Sequence, residues 1–236
     1  MLRNRVFTIV AYGLCLCGLC IGLLKLFDIS KEYKSASKGY KQLKMLMDES
    51  EIEEGAEERL REINQDYIAW LRIEGTSVDY PVVMESDRDY LSTGFYGEES
   101  RSGTPFVRRI QDVFADENTI IYAHNMRDGS MFAPLKKYLE QKYYELHPSI
   151  TIWYQGKKKE YQIYSVRVLE GTDGSVYQYS FPDETSYREY LDLMVKRSVV
   201  KGLERPDTTK KILTLSTCYG KDKKIVVQAV EKEPIV

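Results

Sequence analysis

Past Trp70 the chain breaks into short segments that suit extended strands and cannot build long helices. Residues 71–73, 79–83, 119–123, 150–154, 160–169, 211–216 and 225–230 are rich in β-branched and aromatic side chains. Turn signals such as Glu74-Gly75, Gln155-Gly156 and Asp173-Gly174 separate them. Strands this short bury little alone and must close into an all-β barrel or stack as a sandwich. Two helices interrupt the plan, over residues 134–144 and 184–199. The second is opened by Pro182-Asp183 and carries Tyr187, Tyr190, Leu191, Met194 and Val195 on one face. The chain has no internal repeat and no low-complexity segment.

Ahead of the β-rich part lies a charge-free apolar run over residues 6–24, preceded by Arg3 and Arg5. At 1.5 Å per helical residue it is long enough for a hydrocarbon core of about 30 Å, which predicts one transmembrane helix. A cleaved signal peptide is the alternative, but the run exceeds a usual signal core and no small-x-small cleavage site follows it. Lysines 25, 31, 34, 38, 41 and 44 oppose the two N-terminal arginines, so charge does not set the orientation. Residues 28–64 are polar and helix-favouring, with breaks expected at Gly39 and Gly55 and only a weak apolar face at Leu43, Met45, Leu46 and Met47. Leu60, Ile63, Tyr67 and Ile68 recur at helical spacing and should dock. The expected organisation is an anchor over 1–27, a helical stalk over 28–55 and a domain over 56–236.

Composition excludes some functions. The 236 residues carry 34 Lys and Arg against 36 Asp and Glu, a formal charge of -2, so no nucleic-acid partner is implied. Cys15, Cys17 and Cys20 lie inside the apolar run, without the spacing or the histidine and carboxylate company of a metal site, and read as lipid-facing packing residues. Cys20 follows Leu19 and makes a poor lipoprotein acceptor. No metal and no cofactor is expected.

Cys218 is the one cysteine outside that run, so it has no intrachain disulfide partner beyond the membrane. It follows the strand pattern Ile212-Leu213-Thr214-Leu215, at the point where the polar turn Tyr219-Gly220-Lys221-Asp222 begins. His124 mirrors it: a second buried-strand pattern, Asn118 to Ala123, ends, a histidine stands there, and the loop Asn125-Met126-Arg127-Asp128-Gly129 begins. His147, the other histidine, sits in Glu145-Leu146-His147-Pro148 after a helix, a surface or helix-terminal place. A thiol is a weak nucleophile at neutral pH unless an imidazole or a nearby cation raises its thiolate fraction. A histidine can then also protonate a leaving amine.

The motifs TLSTC at 214–218 and NTIIYAHNM at 118–126 resemble the paired signatures of sortases, the Gram-positive cell-surface transpeptidases. The likeness runs over roughly residues 60–232. It includes INQDYIAWLRI at 63–73, YPVV at 80–83, and three features similar to the class B branch: SGTPF at 102–106, MFAPLKKY at 131–138 and the late helix. It implies an eight-stranded β-barrel with added N-terminal helices and a helix between the late strands, held outside the cell by an uncleaved single-pass anchor. It implies that Cys218 cleaves a C-terminal sorting motif of a secreted surface protein, giving a thioacyl enzyme that an amine of peptidoglycan precursor or of a pilin resolves. His124 matches the acid/base histidine, and Ser216, with Thr217, matches positions lining the peptide groove. The family carries an arginine on the strand after the cysteine. Here Lys223-Lys224-Ile225-Val226-Val227 occupies that segment after a short loop, and Lys224 takes the arginine's place. Lysine lacks the planar fork of arginine. Either Lys224 serves, or Arg108 or Arg109 reaches in, or the enzyme is slow. The alternative reading is a surface binding or assembly module on the same fold with little catalysis. A papain-type hydrolase would want a helix-borne cysteine, whereas Cys218 follows a strand.

Overall fold

The computed structural model describes residues 2–49 and 55–233. The chain divides into two compact units, Met1–Lys41 and Gln42–Val236. Residues 50–54, just ahead of the boundary expected near 55, lie outside the described residues.

Helix α1 runs unbroken over Leu2–Glu49, so the break expected at Gly39 does not occur. A lone glycine costs a helix interior only about 1 kcal/mol, and the good helix formers around it, Lys38, Lys41, Gln42 and Leu43, outweigh that. In the first unit Leu14, Leu16, Leu19, Leu23 and Leu24 are exposed, as are Cys15, Cys17 and Cys20. An 18-residue window of this helix reaches a mean hydropathy of 1.8, so by length and composition it is a candidate membrane span.

The second unit opens with the C-terminal part of α1. Leu43 and Met47 are buried there, so the face that the sequence showed as weakly apolar is a packed one. Helix α2 (Ala56–Ile63) buries Ala56 and Leu60 and ends one residue before Asn64. Helical spacing misread the residues after it. Asn64 is buried, its amide donating to Tyr90 Oη (3.1 Å) and to the Phe95 carbonyl (2.9 Å), and Tyr67 and Ile68 already belong to a strand.

Eight strands complete the unit: β1 (Tyr67–Arg72), β2 (Asp79–Met84), β3 (Phe106–Val107), β4 (Asn118–Tyr122), β5 (Ser149–Tyr154), β6 (Lys157–Glu170), β7 (Ile212–Tyr219) and β8 (Lys223–Glu231). They close as a barrel in the order β1-β2-β3-β4-β7-β8-β6-β5, which settles the choice between barrel and sandwich. Closure removes the unpaired edges that an open sheet would expose. Only β3 had no sequence signal, because two residues show no alternation. It nevertheless bridges β2 in parallel and β4 antiparallel. Where one helix was expected over 134–144 there are two, a 3-10 helix (Ala133–Leu139) and α3 (Gln141–Leu146), parted by extended Glu140. Helix α4 (Glu184–Lys196) is capped by Asp183, whose carboxylate accepts from the Ser186 N–H at 2.8 Å. Its Tyr187, Tyr190, Leu191 and Met194 pack on Tyr164 and Leu169 of β6, Ile212 of β7 and Val226 of β8. That contact decides which face of β7 and β8 looks away from the barrel interior.

Beside β1 and β2, Asp79 is only 9% exposed and gathers donors from several elements. Trp70 Nε1 donates to it at 2.7 Å, Arg72 Nε at 2.9 Å, and Lys44 Nζ lies 2.6 Å away, while Arg72 also pairs with Asp48. The last turns of α1 are thereby tied to the barrel wall.

Candidate active site

Side chains alternate along a strand. Ile212 packs against α4, so Thr214, Ser216 and Cys218 share that face, and Leu213, Leu215 and Thr217 look the other way. Cys218 is exposed and stands one residue before the end of β7. The link to β8 is the short turn Gly220, Lys221 and Asp222, with Gly220 at φ 73°, a conformation glycine adopts without strain. The turn is pinned from β6: the Gly171 N–H donates to the Asp222 carbonyl at 2.6 Å, and a Cβ on Gly171 would come within 2.9 Å of that oxygen.

This tight hairpin fixes a register in which Cys218 lies directly opposite Lys224. Directly opposed residues of an antiparallel pair share a face with their Cβ atoms about 4.5–5.5 Å apart. Lys223, opposite Tyr219, falls on the other face and is paired to Glu170 at 3.0 Å. Lys224 differs. Among the described residues it has no carboxylate partner, and its Nζ sits 4.9 Å from the centroid of the Tyr177 ring. An open cleft of about 510 Å³ is lined by Cys218, Lys224, Lys221, Asp222 and Gly171.

His124 arrives from the neighbouring strand. β4 runs parallel to β7 with Tyr122 opposite Ser216. Beyond the end of β4 the pairing is continued by other bonds. The Ala123 N–H donates to the Ser216 carbonyl (3.3 Å), Thr217 Oγ1 donates to the Ala123 carbonyl (2.7 Å), and Asn125 Nδ2 donates to the Cys218 carbonyl (2.8 Å). Two residues on from the Tyr122–Ser216 pair, this register sets His124 alongside Cys218. His124 Nε2 lies 2.7 Å from the Leu91 carbonyl. A carbonyl only accepts, so Nε2 is the donating nitrogen in this contact.

Ser216 is buried, and its hydroxyl shares a hydrogen bond with Tyr177 Oη at 2.9 Å. Burial pushes the Tyr177 phenol above its ordinary pKa, the Ser216 hydrogen bond pulls it back, and the nearby Cys218 pushes it up. The Tyr177 ring stacks on Tyr122 with centroids 6.0 Å apart, and the Arg108 guanidinium lies 5.4 Å from the Tyr122 centroid. Thr217 is not brought to this face, being buried with its hydroxyl bonded to Ala123. Arg109 is engaged elsewhere, with Asp87 (3.3 Å) and the Glu85 carbonyl. His147 caps the C-terminus of α3, its Nδ1 2.9 Å from the Glu74 carbonyl. Among the described residues no group of three or more His, Cys, Asp or Glu is placed to hold a metal ion.

The sortase domain family matches residues 71–232. Sortase B of Listeria monocytogenes is 37% identical over 162 residues, 67% of this chain and just under two thirds (65%) of its own length. Sortase B of Staphylococcus aureus is 33% identical over 178 residues, 73% of this chain and 72% of its own. The chain belongs to the sortase family. The solved Staphylococcus aureus sortase B–substrate complex agrees, with a TM-score of 0.79 at 30% identity over 86% of this chain and 99% of that one. This protein is therefore a class B sortase, in a family of cysteine transpeptidases of the cell wall, and its barrel is the one that the motifs implied.

The sequence reading of this sortase overlooked three residues that the fold gathers at the cysteine: Tyr122, Asn125 and Tyr177. Tyr122 and Asn125 flank His124 in the same motif, so their nearness could have been read once His124 was chosen. Tyr177 comes from the segment Val176-Tyr177-Gln178-Tyr179, about 40 residues before Cys218 in the chain. Its only signal was a pair of alternating tyrosines in a loop where solvated polar residues are the rule.

Proposed function

We propose that this sortase cleaves a C-terminal sorting motif with Cys218 as nucleophile, His124 as acid and base, and Lys224 as the cation at the reacting centre. The Cys218 thiolate attacks the scissile carbonyl carbon, and the ammonium of Lys224 balances the charge that forms on the carbonyl oxygen. As the carbon–nitrogen bond breaks, protonated His124 gives its proton to the departing amine, leaving an acyl group in thioester linkage to Cys218. The incoming amine, from peptidoglycan precursor or from a pilin lysine, attacks that thioester and passes its proton to His124. A new amide is released and the thiolate returns. Ser216 lines the peptide groove beside Cys218, its hydroxyl held by Tyr177. Helix α1 holds the domain at the outer face of the cell membrane as a single-pass anchor.

The observation that carries this reading is the register. An exposed cysteine stands across from a lysine that has no carboxylate partner among the described residues, and the β4–β7 pairing, continued past Tyr122–Ser216 by the Asn125 bond to the Cys218 carbonyl, leads His124 towards it. A lysine opposite the cysteine in the ladder supports a cation at that centre and favours an enzyme over a binding module. The test uses the full chain in detergent micelles with a set of quenched sorting-motif peptides and an amine acceptor, with and without a thiol alkylator. Cleavage with the acyl group found on Cys218 is expected. No cleavage of any motif, with Cys218 alkylating no faster than a free thiol, would overturn the assignment.

A further inference from the structure

A lysine is a point charge on a flexible four-carbon stem, so at a site where the family uses the rigid fork of arginine something else must hold it. A carboxylate would hold it but would also cancel the charge that the chemistry needs. The face of an aromatic ring binds a cation without neutralising it. Tyr177 offers such a face, 4.9 Å from Lys224 Nζ.

The ring is itself held at its hydroxyl and against a neighbouring ring. Its hydroxyl is bonded to Ser216, and its other neighbour is Tyr122, which carries Arg108 at its own edge of the stack. The backbone on both sides of Tyr177 is tied down by Asn118 at the start of β4. The Asn118 side-chain amide donates to the Gln178 carbonyl (2.8 Å) and the Val176 carbonyl (3.3 Å), and its N–H donates to the Tyr179 carbonyl (2.9 Å). Tyr190 of α4 adds a bond from its hydroxyl to the Val176 carbonyl at 3.0 Å. A loop residue is thereby bonded on both sides to β4 and α4.

Building on the Cys218–Lys224 reading, we propose that Tyr177 is a positioning residue, whose ring face holds the Lys224 ammonium beside the Cys218 sulfur and so adapts a sortase site to lysine. The ring is what matters, and the hydroxyl serves to orient it against Ser216. Tyr177 therefore acts through Lys224 rather than on the substrate.

The experiment compares two alkylators of different charge on the full chain in detergent micelles. Iodoacetate is an anion and iodoacetamide is neutral; both react with the thiolate, so the ratio of their rates reports positive charge near the sulfur. Modification is followed on the Cys218 peptide by mass spectrometry, which separates it from Cys15, Cys17 and Cys20. In wild type and in Tyr177→Phe the ratio is high. In Tyr177→Leu it falls about threefold or more, as it does in Lys224→Met, since one nearby charge is lost to screened solvent. The double variant falls no further than either single one. Tyr177→Gln serves as a second ring-less variant, with thermal melts by circular dichroism selecting the one that is folded. A ring-less folded variant that keeps the wild-type ratio would overturn the proposal, as would a Lys224→Met ratio equal to wild type. No peptide is needed, so failure to cleave any sorting motif with the ratio pattern intact would sink the transpeptidase reading alone.

Discussion

Two of the places where this protein sets a cation against an aromatic ring differ in the group that faces the cation. Near β1, Arg72 lies 5.0 Å from the Trp153 ring centroid and, with Lys44 and Trp70, surrounds the buried carboxylate of Asp79. Burial works against the Arg72 charge, but its bonds to Asp79 and Asp48 more than offset that and raise its pKa. Near the β7–β8 hairpin, Lys224 lies on the Tyr177 ring, and what faces it across the ladder is a thiol. Where a carboxylate completes the set, the charges are matched and the result is mechanical. Where a cysteine stands instead, the cation has no carboxylate partner among the described residues, and the proposed chemistry uses that charge. A cation on an aromatic ring thus makes a clamp at one place and, in the proposed function, a reacting centre at the other.

Substitutions at either cluster can undo this contrast. The largest effect is expected at the cysteine and histidine: Cys218→Ala and His124→Ala should each lower sorting-peptide turnover by about a thousandfold or more, with melting temperatures within a degree or two of wild type. A fluorescence assay on quenched peptide checks the first point and circular dichroism the second. Asp79→Ala should do the opposite. Removing the carboxylate leaves Arg72 with Asp48 but takes the partner from Lys44 and the acceptor from the buried Trp70 N–H, at a cost of about 3 kcal/mol in urea unfolding, while turnover per folded molecule is unchanged. A loss of turnover without loss of stability would mean that the two clusters are coupled. Lys224→Arg probes the reacting centre from the other side: a planar fork placed across from Cys218 should raise turnover, by up to about tenfold. The smallest effect concerns the loop that carries Tyr177. The carboxyl of Asp173 is held below its ordinary value by bonds from the Ser175 hydroxyl and N–H, with buried Arg167 adding to them. A carboxyl depressed in the folded state stabilises above its unfolded pKa and loses that contribution as the pH falls through its folded one. Asp173→Asn should therefore leave stability at pH 7 slightly lower, and remove a shallow acid-side slope below about pH 4, seen in urea midpoints measured against pH.

Much of this could be read from residues alone, for physical reasons that differ from case to case. Strand segments, the capped helix α4 and the two strand-end residues Cys218 and His124 are local signals, each contained in a dozen residues. Even the Cys218–Lys224 pairing was nearly legible, since Lys221 lies midway between the two and a tight turn centred on it must set them face to face. β3 was invisible because two residues carry no period. The helical spacing read across Leu60, Ile63 and Tyr67 failed because Asn64 turns its amide to Tyr90 and Phe95, partners far along the chain. Tyr177 and the Asp79 set were illegible for the same reason. Their meaning lies in contacts between distant segments, which barrel closure alone brings together.

In the proposed chemistry the lysine across from Cys218 supplies the cation, and the remaining steps depend on it. The decisive quantity is the single-turnover rate at which a sorting peptide acylates Cys218, measured in wild type and in Lys224→Met. A loss of about a hundredfold is expected, with the acyl group still found on Cys218 and the fold intact. A Lys224→Met enzyme that acylates as fast as wild type would contradict the assignment and move the cationic role to another residue.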